Sequence, residues 1–351
     1  MISRLLLSSA LTLAALAGPA HAVVFDRDVA RRVSLGGSCV KCVLAGKKLT
    51  GASFTAANFS GANLRDADLR GAAITASNFA DCDFSRADLR SADVTASRFD
   101  GANFTRAEMS GLEGRALRFA GAIMAGVRMQ SASLVMSDFT RAALAEAVLV
   151  GADLKASNFT AAEAERADFT SASLQGARFA GGRFKRAVFK GAGMQGAQFG
   201  DGDFERANFT STGLQGAQLR GRFDRASFRA ADLRGARLSG GSFDGAEFAG
   251  AELKGADLRG ADLSGARGLA QDQLDDACTD ASTRLPGGLR GSERCRIARV
   301  VIATPGAPPR PAAVPAPPAP PAPPAPPADF GADVRARVRE ALARAGFEPR
   351  P

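Results

Sequence analysis

The sequence predicts an all-β fold, a square solenoid whose sides are five residues long. Three observations predict it. A large apolar residue recurs every five positions, at Phe54, Phe59, Leu64, Leu69, Ile74, Phe79, Phe84 and Leu89, and onward in steps of five to Leu219. That spacing fits neither the 3.6-residue period of an amphipathic helix nor the two-residue period of a strand. A small residue, usually Ala, stands two positions before each centre, as at Ala57, Ala62, Ala67, Ala87 and Ala102. Finally, the type of apolar residue repeats every twenty positions. Phe59, Phe79, Phe99, Phe119, Phe139, Phe159, Phe179 and Phe199 form one column, and Ile74, Val94, Leu134, Leu154, Leu174, Met194 and Leu214 form an aliphatic one. Like residues stacked every twenty positions mean that four five-residue sides close one coil. Successive coils then lie at the usual ~4.8 Å strand spacing, and stacked aromatic rings fill the ladder between them.

In chain order, residues 1–22 read as a secretory signal. Arg4 is the charged start, Leu5 to Leu16 an apolar run of about a dozen residues, and Ala20-His21-Ala22 a small-x-small cleavage site. The run is too short to span a bilayer comfortably. Cleavage after Ala22 predicts a periplasmic or secreted protein, and no Cys follows the cut to carry a lipid. Because His21 is the only histidine, the processed chain has none. That removes Ser-His-Asp and Cys-His nucleophile arrangements and histidine metal ligands.

Residues 23–48 are read as a lead-in and N-terminal cap containing Cys39 and Cys42, and residues 49–266 as the solenoid. The register shifts by one at Gly221-Arg222-Phe223 and continues to Leu263, a four-residue side that bulges or tightens one corner. At Leu112-Glu113-Gly114 the large and small positions exchange, and Leu112 is expected to fill the volume that Gly114 vacates. The unit around Ala164 is weak. Residues 267–300 are a C-terminal cap, where Leu269, Leu274 and Ala277 suit a short helix. Both caps cover backbone edges that would otherwise invite pairing with other chains.

Residues 301–328 form a Pro/Ala-rich linker, a polyproline-type spacer reaching on the order of 70–80 Å. Residues 329–351 are expected to form an amphipathic helix, with Phe330, Val334, Val338, Leu342 and Ala345 on one stripe and Arg335, Arg337, Arg339 and Arg344 around it. It is read either as a marginal helix or as a docking peptide for a partner groove or an anionic membrane surface.

Ala62-Asn63-Leu64-Arg65-Asp66 and Ala67-Asp68-Leu69-Arg70-Gly71 resemble the A-(D/N)-L-x-x unit of the pentapeptide-repeat family. The resemblance runs from roughly Gly51 to Ala266. It implies a right-handed quadrilateral β-helix, here of about eleven coils and on the order of 50 Å long. The segment Gly268 to Leu289 resembles the C-terminal cap of many secreted members.

In an oxidising compartment Cys278 and Cys295 are a candidate disulfide, and Cys39 and Cys42 a second. A C-x-x-C is also found in redox sites and half zinc sites, but no thioredoxin-like βαβ pattern and no second C-x-x-C support either. Cys82 takes a small interior position and is expected to be a buried, inert thiol in place of Ala.

The net charge is +9, carried mostly by Arg. Such a balance points to nucleic acid, anionic lipid or acidic glycan, or simply to GC-rich coding. Arg86, Arg106, Arg166, Arg186 and Arg206 share one phase of the twenty-residue coil, and Arg225 joins them after the shift. Arg166, Arg186, Arg206 and Arg225 occupy consecutive coils about 5 Å apart. They are read either as a solvated face with weak ion pairs or as a stripe binding phosphate, lipopolysaccharide or acidic glycan. Asp88, Glu108 and Asp168, two residues after an Arg, and the adjacent Glu165 and Glu205 are expected to compensate part of the charge.

No carboxylate pair stands out, no inserted loop builds a cleft, and no phosphate-cradling glycine loop is present, so no enzyme activity and no cofactor are expected. The leading reading is an exported β-helical scaffold. Its partner would be an unidentified protein or an anionic envelope component, bound through the solenoid surface or the C-terminal helix; the oligomeric state stays open. The alternative comes from the family, some of whose cytosolic members mimic DNA and protect topoisomerases. That role needs an acidic rod, and this one is basic and begins with an export signal. Nucleic-acid binding is not expected, because the Phe ladder points inward and leaves no aromatics for base stacking.

Overall fold

The computed structural model describes residues 37–292. Over that range the chain is an all-β solenoid built from parallel pairings between residues about twenty apart. One ladder of partners runs Ser38, Asn58, Asn78, Arg98, Arg118, Asp138, Asn158, Arg178, Gln198, Gln218, Arg237, Asp257 and Cys278. Five short strands, β1 (Ser53–Thr55), β2 (Ala73–Thr75), β3 (Asp93–Thr95), β4 (Glu113–Arg115) and β5 (Ser133–Val135), form one parallel sheet in that order. β6 (Gly202–Asp203) and β7 (Gly221–Arg222) form another.

Each five-residue side buries its small and its large apolar residue, and at its end the chain turns through a left-handed residue. At one such corner Phe59 O accepts the Ala62 N–H at 2.8 Å, with Gly61 between them at φ 67°. Glycine takes that region without steric cost, but many corners carry Arg, Ala, Ser or Asp instead, at about 1 kcal/mol each. Between coils, Phe59 N–H donates to Asn78 O and Asn78 N–H to Ala57 O, both at 2.8 Å. This alternation fixes the twenty-residue register.

The column from Phe59 to Phe199 is a continuous stack. Phe139 lies 5.1 Å from Phe119 and 4.8 Å from Phe159, with ring planes within 11° and 2° of parallel. Two further aromatic columns run beside it, Phe184-Phe204-Phe223-Phe243 and Phe169-Phe189-Phe209-Phe228-Phe248. Neighbouring columns meet edge to face, as in Phe199–Phe204 at 4.9 Å and 72°. Ala164, fully buried, falls in the first of these columns, beneath Phe184.

Leu112 does fill the space that Gly114 leaves. Leu112 is buried, and a Cβ on Gly114 would sit 3.3 Å from its Cδ2 and 2.8 Å from Leu117 Cδ1. Ser77, where Ala is usual, keeps its hydroxyl bonded, donating to Thr75 O at 2.9 Å and accepting the Ala57 N–H at 3.1 Å. The register shift tightens its corner. Gly221 there packs so closely that a Cβ would lie 2.7 Å from Gly202 O.

Among the described residues pairing starts at Ser38, ahead of residue 49, where the solenoid was expected to begin. Val43 and Lys48 also pair with the coil above, and Leu44 and Leu49 are buried centres. The segment read as a cap is therefore itself coiled. Cys39 takes the place below Phe59 and bonds to Cys42 in a disulfide. At the other end the cap contains α1 (Gln271–Asp275). Gln273 Nε2 donates to Phe248 O at 2.9 Å and Ala251 O at 2.7 Å, closing carbonyls that face no further coil, while Leu274 and Ala277 are fully buried. Cys278 is buried, and its expected partner Cys295 lies outside the described residues. So do the signal segment 1–22, most of the lead-in, the linker 301–328 and the helix 329–351.

Candidate functional site

The corner shared by the arginine column is built by one repeated local pattern: Glu165-Arg166-Ala167, Lys185-Arg186-Ala187, Glu205-Arg206-Ala207 and Asp224-Arg225-Ala226. In each, the Arg is the left-handed residue, with φ of 58°, 58°, 59° and 57°, and the following Ala is buried. Backbone bonds stack the corners. Arg166 N–H donates to Lys185 O, Arg186 to Glu205 O and Arg206 to Asp224 O, each at 2.9 Å. All four predicted residues therefore stand at consecutive corners, one per coil.

Their ion pairing differs from the expectation. Asp88 is taken by Arg90 at 2.6 Å, Glu108 lies 3.4 Å from Arg128, and Asp168 accepts the Thr170 N–H and hydroxyl. The partners that the column does have come from the same corner one coil earlier. Arg86 pairs with Asp66 at 2.5 Å and Arg166 with Glu146 at 3.5 Å. Arg186 and Arg206 lie instead above another Arg, and so does Arg225. These three form no ion pair among the described residues.

Asp203, Glu205 and Asp224 next to them are already occupied, while Glu165, expected to compensate the column, forms no ion pair among the described residues. Lys185 Nζ lies 3.3 Å from both Asp203 and Glu205, and these hydrogen bonds push its pKa up. Arg222 reaches Asp224 at 2.7 Å and Glu205 at 3.4 Å. A shallow depression of about 190 Å³ on this side is lined by Glu165, Lys185, Arg186, Glu205 and Arg206, a mixture of both signs.

Other arginines neutralise themselves. In Asp68-Leu69-Arg70 the guanidinium folds back on the carboxylate, Nε to Oδ1 at 2.9 Å and Nη2 to Oδ2 at 2.7 Å. That bond holds the Asp68 carboxyl well below the usual carboxylate range. Asp88–Arg90 and Asp257–Arg259 repeat the geometry. Two residues along a strand, Asp and Arg point to the same side, whereas a corner Arg projects away from both faces.

Past the corner, the next side carries Val188, Asn208 and Ser227 in one bridged column and Lys190, Thr210 and Arg229 in the next. No carboxylate stands on this side between Asp168 below and Glu247 above. Lys190 is exposed and without an ion pair among the described residues, while Arg229 reaches Glu247 at 3.6 Å. Sequence reading singled out the Arg column but not Lys190, which the phase of the coil places four residues beyond Arg186.

Two sequence profiles described as pentapeptide repeats match the chain, one over residues 39–71, 67–106, 122–160, 137–175 and 226–265 and the other over 174–218. The chain belongs to the pentapeptide-repeat family. In the repeat A-(D/N)-L-x-x, the corner arginines are the fifth residue. Among solved structures this pentapeptide-repeat protein is similar to HetL, involved in heterocyst differentiation regulation in the cyanobacterium Nostoc. Identity is 26% over 62% of this chain and 89% of HetL, with a TM-score of 0.34. It is also similar to QnrB1, a plasmid-mediated fluoroquinolone resistance protein, at 17% identity over 54% of this chain and 94% of that one, TM-score 0.30. A pentapeptide repeat protein of the Arabidopsis thaliana thylakoid lumen matches at 28% identity over 36% of this chain and 73% of its own, TM-score 0.14. No curated protein matches the chain.

Proposed function

We propose that this chain is an exported, non-enzymatic solenoid that binds an anionic component of the cell envelope or extracellular space through its arginine corner. The observation that carries the reading is the run Arg186, Arg206 and Arg225, exposed and without ion pairs among the described residues, while Lys185 and Arg222 hold the adjacent carboxylates. Three like charges on consecutive coils repel one another, and an anion laid along them relieves that repulsion. The signal-like residues 1–22 and the Cys39–Cys42 disulfide favour an oxidising compartment. The amphipathic segment 329–351 supplies a second contact, for a partner groove or an anionic membrane surface.

Two measurements test this. The intact mass of the protein recovered from its host under non-reducing conditions should show loss of residues 1–22 and of two hydrogens per disulfide. A full-length, reduced chain overturns export. On an anionic resin the variant Arg186→Gln/Arg206→Gln/Arg225→Gln should elute at clearly lower salt than the parent, and unchanged elution overturns the corner as the binding surface.

A further inference from the structure

We infer that the ligand of this corner is a linear acidic glycan lying along the solenoid axis on the side from Val188 to Arg229. The inference rests on the anion-binding reading above and names its ligand class. Four features of the surface carry it.

The first is spacing. Arg186, Arg206 and Arg225 rise by one coil each, about 4.8 Å, in a straight row held by bridged neighbours. A 1→4-linked hexopyranose advances by about one coil rise per sugar, so each uronate or sulfate-bearing sugar spans one coil. Duplex DNA instead advances ~3.4 Å per phosphate along each strand and winds away from a straight row.

The second is the direction of approach. On one flank of the row the acids Asp203, Glu205 and Asp224 are tied to Lys185 and Arg222, and their negative charge opposes an anion there. The other flank has no carboxylate over three coils and has Lys190 and Arg229 on its far edge. The face is thus bounded by the arginine row on one side and, on the other, by Lys190 and by Arg229, which also reaches Glu247. That suits an extended glycan whose acid groups alternate left and right along the chain.

The third is the floor. Val188 offers an apolar contact for the C–H face of a sugar ring, and Asn208, Thr210 and Ser227 are half-buried hydrogen-bonding groups. Asn208 Oδ1 accepts the Thr210 N–H at 2.9 Å, and the Thr210 and Ser227 hydroxyls lie 3.2 Å apart, a row of neutral hydrogen-bonding groups along the face. Hydroxyl-rich ligands, which both donate and accept, pair with such neutral groups. The fourth is the lack of stacking surface. Every Phe from Phe54 to Phe248 is buried, so no aromatic platform is offered to nucleic-acid bases.

The probe is a series of β-1,4-linked mannuronate oligomers, from monomer to hexamer, titrated into the full chain at low salt. Inorganic triphosphate, neutral mannan oligomers and an oligothymidylate of matched charge serve as comparisons. Affinity should rise with each sugar up to about three, one for each coil of the face between Asp168 and Glu247, and then level off. Arg206→Gln should weaken the tetramer by about two- to fivefold, as expected for one exposed charge contact. The triple Arg→Gln variant should weaken it more than about tenfold, and Lys190→Gln by a smaller factor. Circular dichroism checks that each variant keeps its fold. Binding of triphosphate or oligothymidylate as tight as that of the tetramer, or no length dependence, overturns the glycan while leaving the anion-binding corner intact. Failure of every polyanion to bind, or binding untouched by the triple variant, overturns both.

Discussion

Replacing Phe139 by Ala should be among the costliest single changes in the rod, and its size can be worked from the ring stack. Phe139 is fully buried and touches rings only above and below, Phe119 at 5.1 Å and Phe159 at 4.8 Å. Truncation removes a whole ring between two that the backbone ladder holds in place, because Phe139 N–H donates to Asn158 O and cannot shift without breaking that bond. A buried Phe→Ala change that cannot relax costs about 3–5 kcal/mol. Phe139→Leu keeps most of the volume and should cost less than about 1.5 kcal/mol. With a urea slope of roughly 3 kcal/mol per molar, the Ala variant loses more than about 1 M in midpoint and the Leu variant less than about 0.5 M. The chain has no Trp or Tyr, so the assay is far-ultraviolet circular dichroism rather than fluorescence. Equal midpoints for the two variants, or an Ala variant within about 0.3 M of the parent, would refute the claim that stacked rings hold the coils. The stack also matters for function, since the same rise that separates the rings separates the corner arginines.

Gly221→Ala should destabilise the rod by more than about 1 kcal/mol in the same assay, because its Cβ would lie 2.7 Å from Gly202 O, a backbone atom that cannot move aside. Asp280 caps the C-terminal end by accepting from the Ser282 hydroxyl and from the Ser282, Thr283 and Gly260 amides. The Ser282 hydroxyl bond is the main cause that lowers its pKa to about 2, so its stabilisation is complete above the unfolded value near 4 and is lost as pH falls through about 2. The melting-temperature gap between the parent and Asp280→Ala should therefore shrink between pH 5 and pH 2. Cys82 donates to Phe59 O at 2.9 Å and burial pushes its thiol up to about 12. Peptide mass mapping should find Cys82 unalkylated by iodoacetamide at pH 8 until denaturant is added.

The interior was legible because it is written in one dimension. A residue's place in the five- and twenty-residue periods decides whether it is buried and what it stacks on, so the Phe59–Phe199 column and the Leu112–Gly114 exchange follow from position alone. The first coil was obscured because Cys39 and Lys47 stand where the repeat has apolar and small residues, so the solenoid was read only from residue 49. The two further aromatic columns are broken toward the N-terminus by Leu, Met and Ala, which hides their period. The corner's alignment was visible, but its charge partners were not. Arg86 has Asp88 two residues away in sequence yet pairs with Asp66 across the coil, since the corner turns the guanidinium away from its own strand. Likewise Glu205 adjoins Arg206 but is held by Lys185 and Arg222, a contact that depends on which face each residue shares.

The most direct test sets position against net charge. Arg206→Gln and Arg70→Gln each remove one positive charge, but Arg70 is already bonded to Asp68 and Arg206 has no carboxylate partner among the described residues. Both variants are eluted with salt from a resin bearing immobilised polymannuronate. If the arginine corner is the binding surface, Arg206→Gln elutes at markedly lower salt than the parent and Arg70→Gln stays within error of it. Equal shifts would mean that overall charge holds the protein to anions, and the corner would lose its claim as a site.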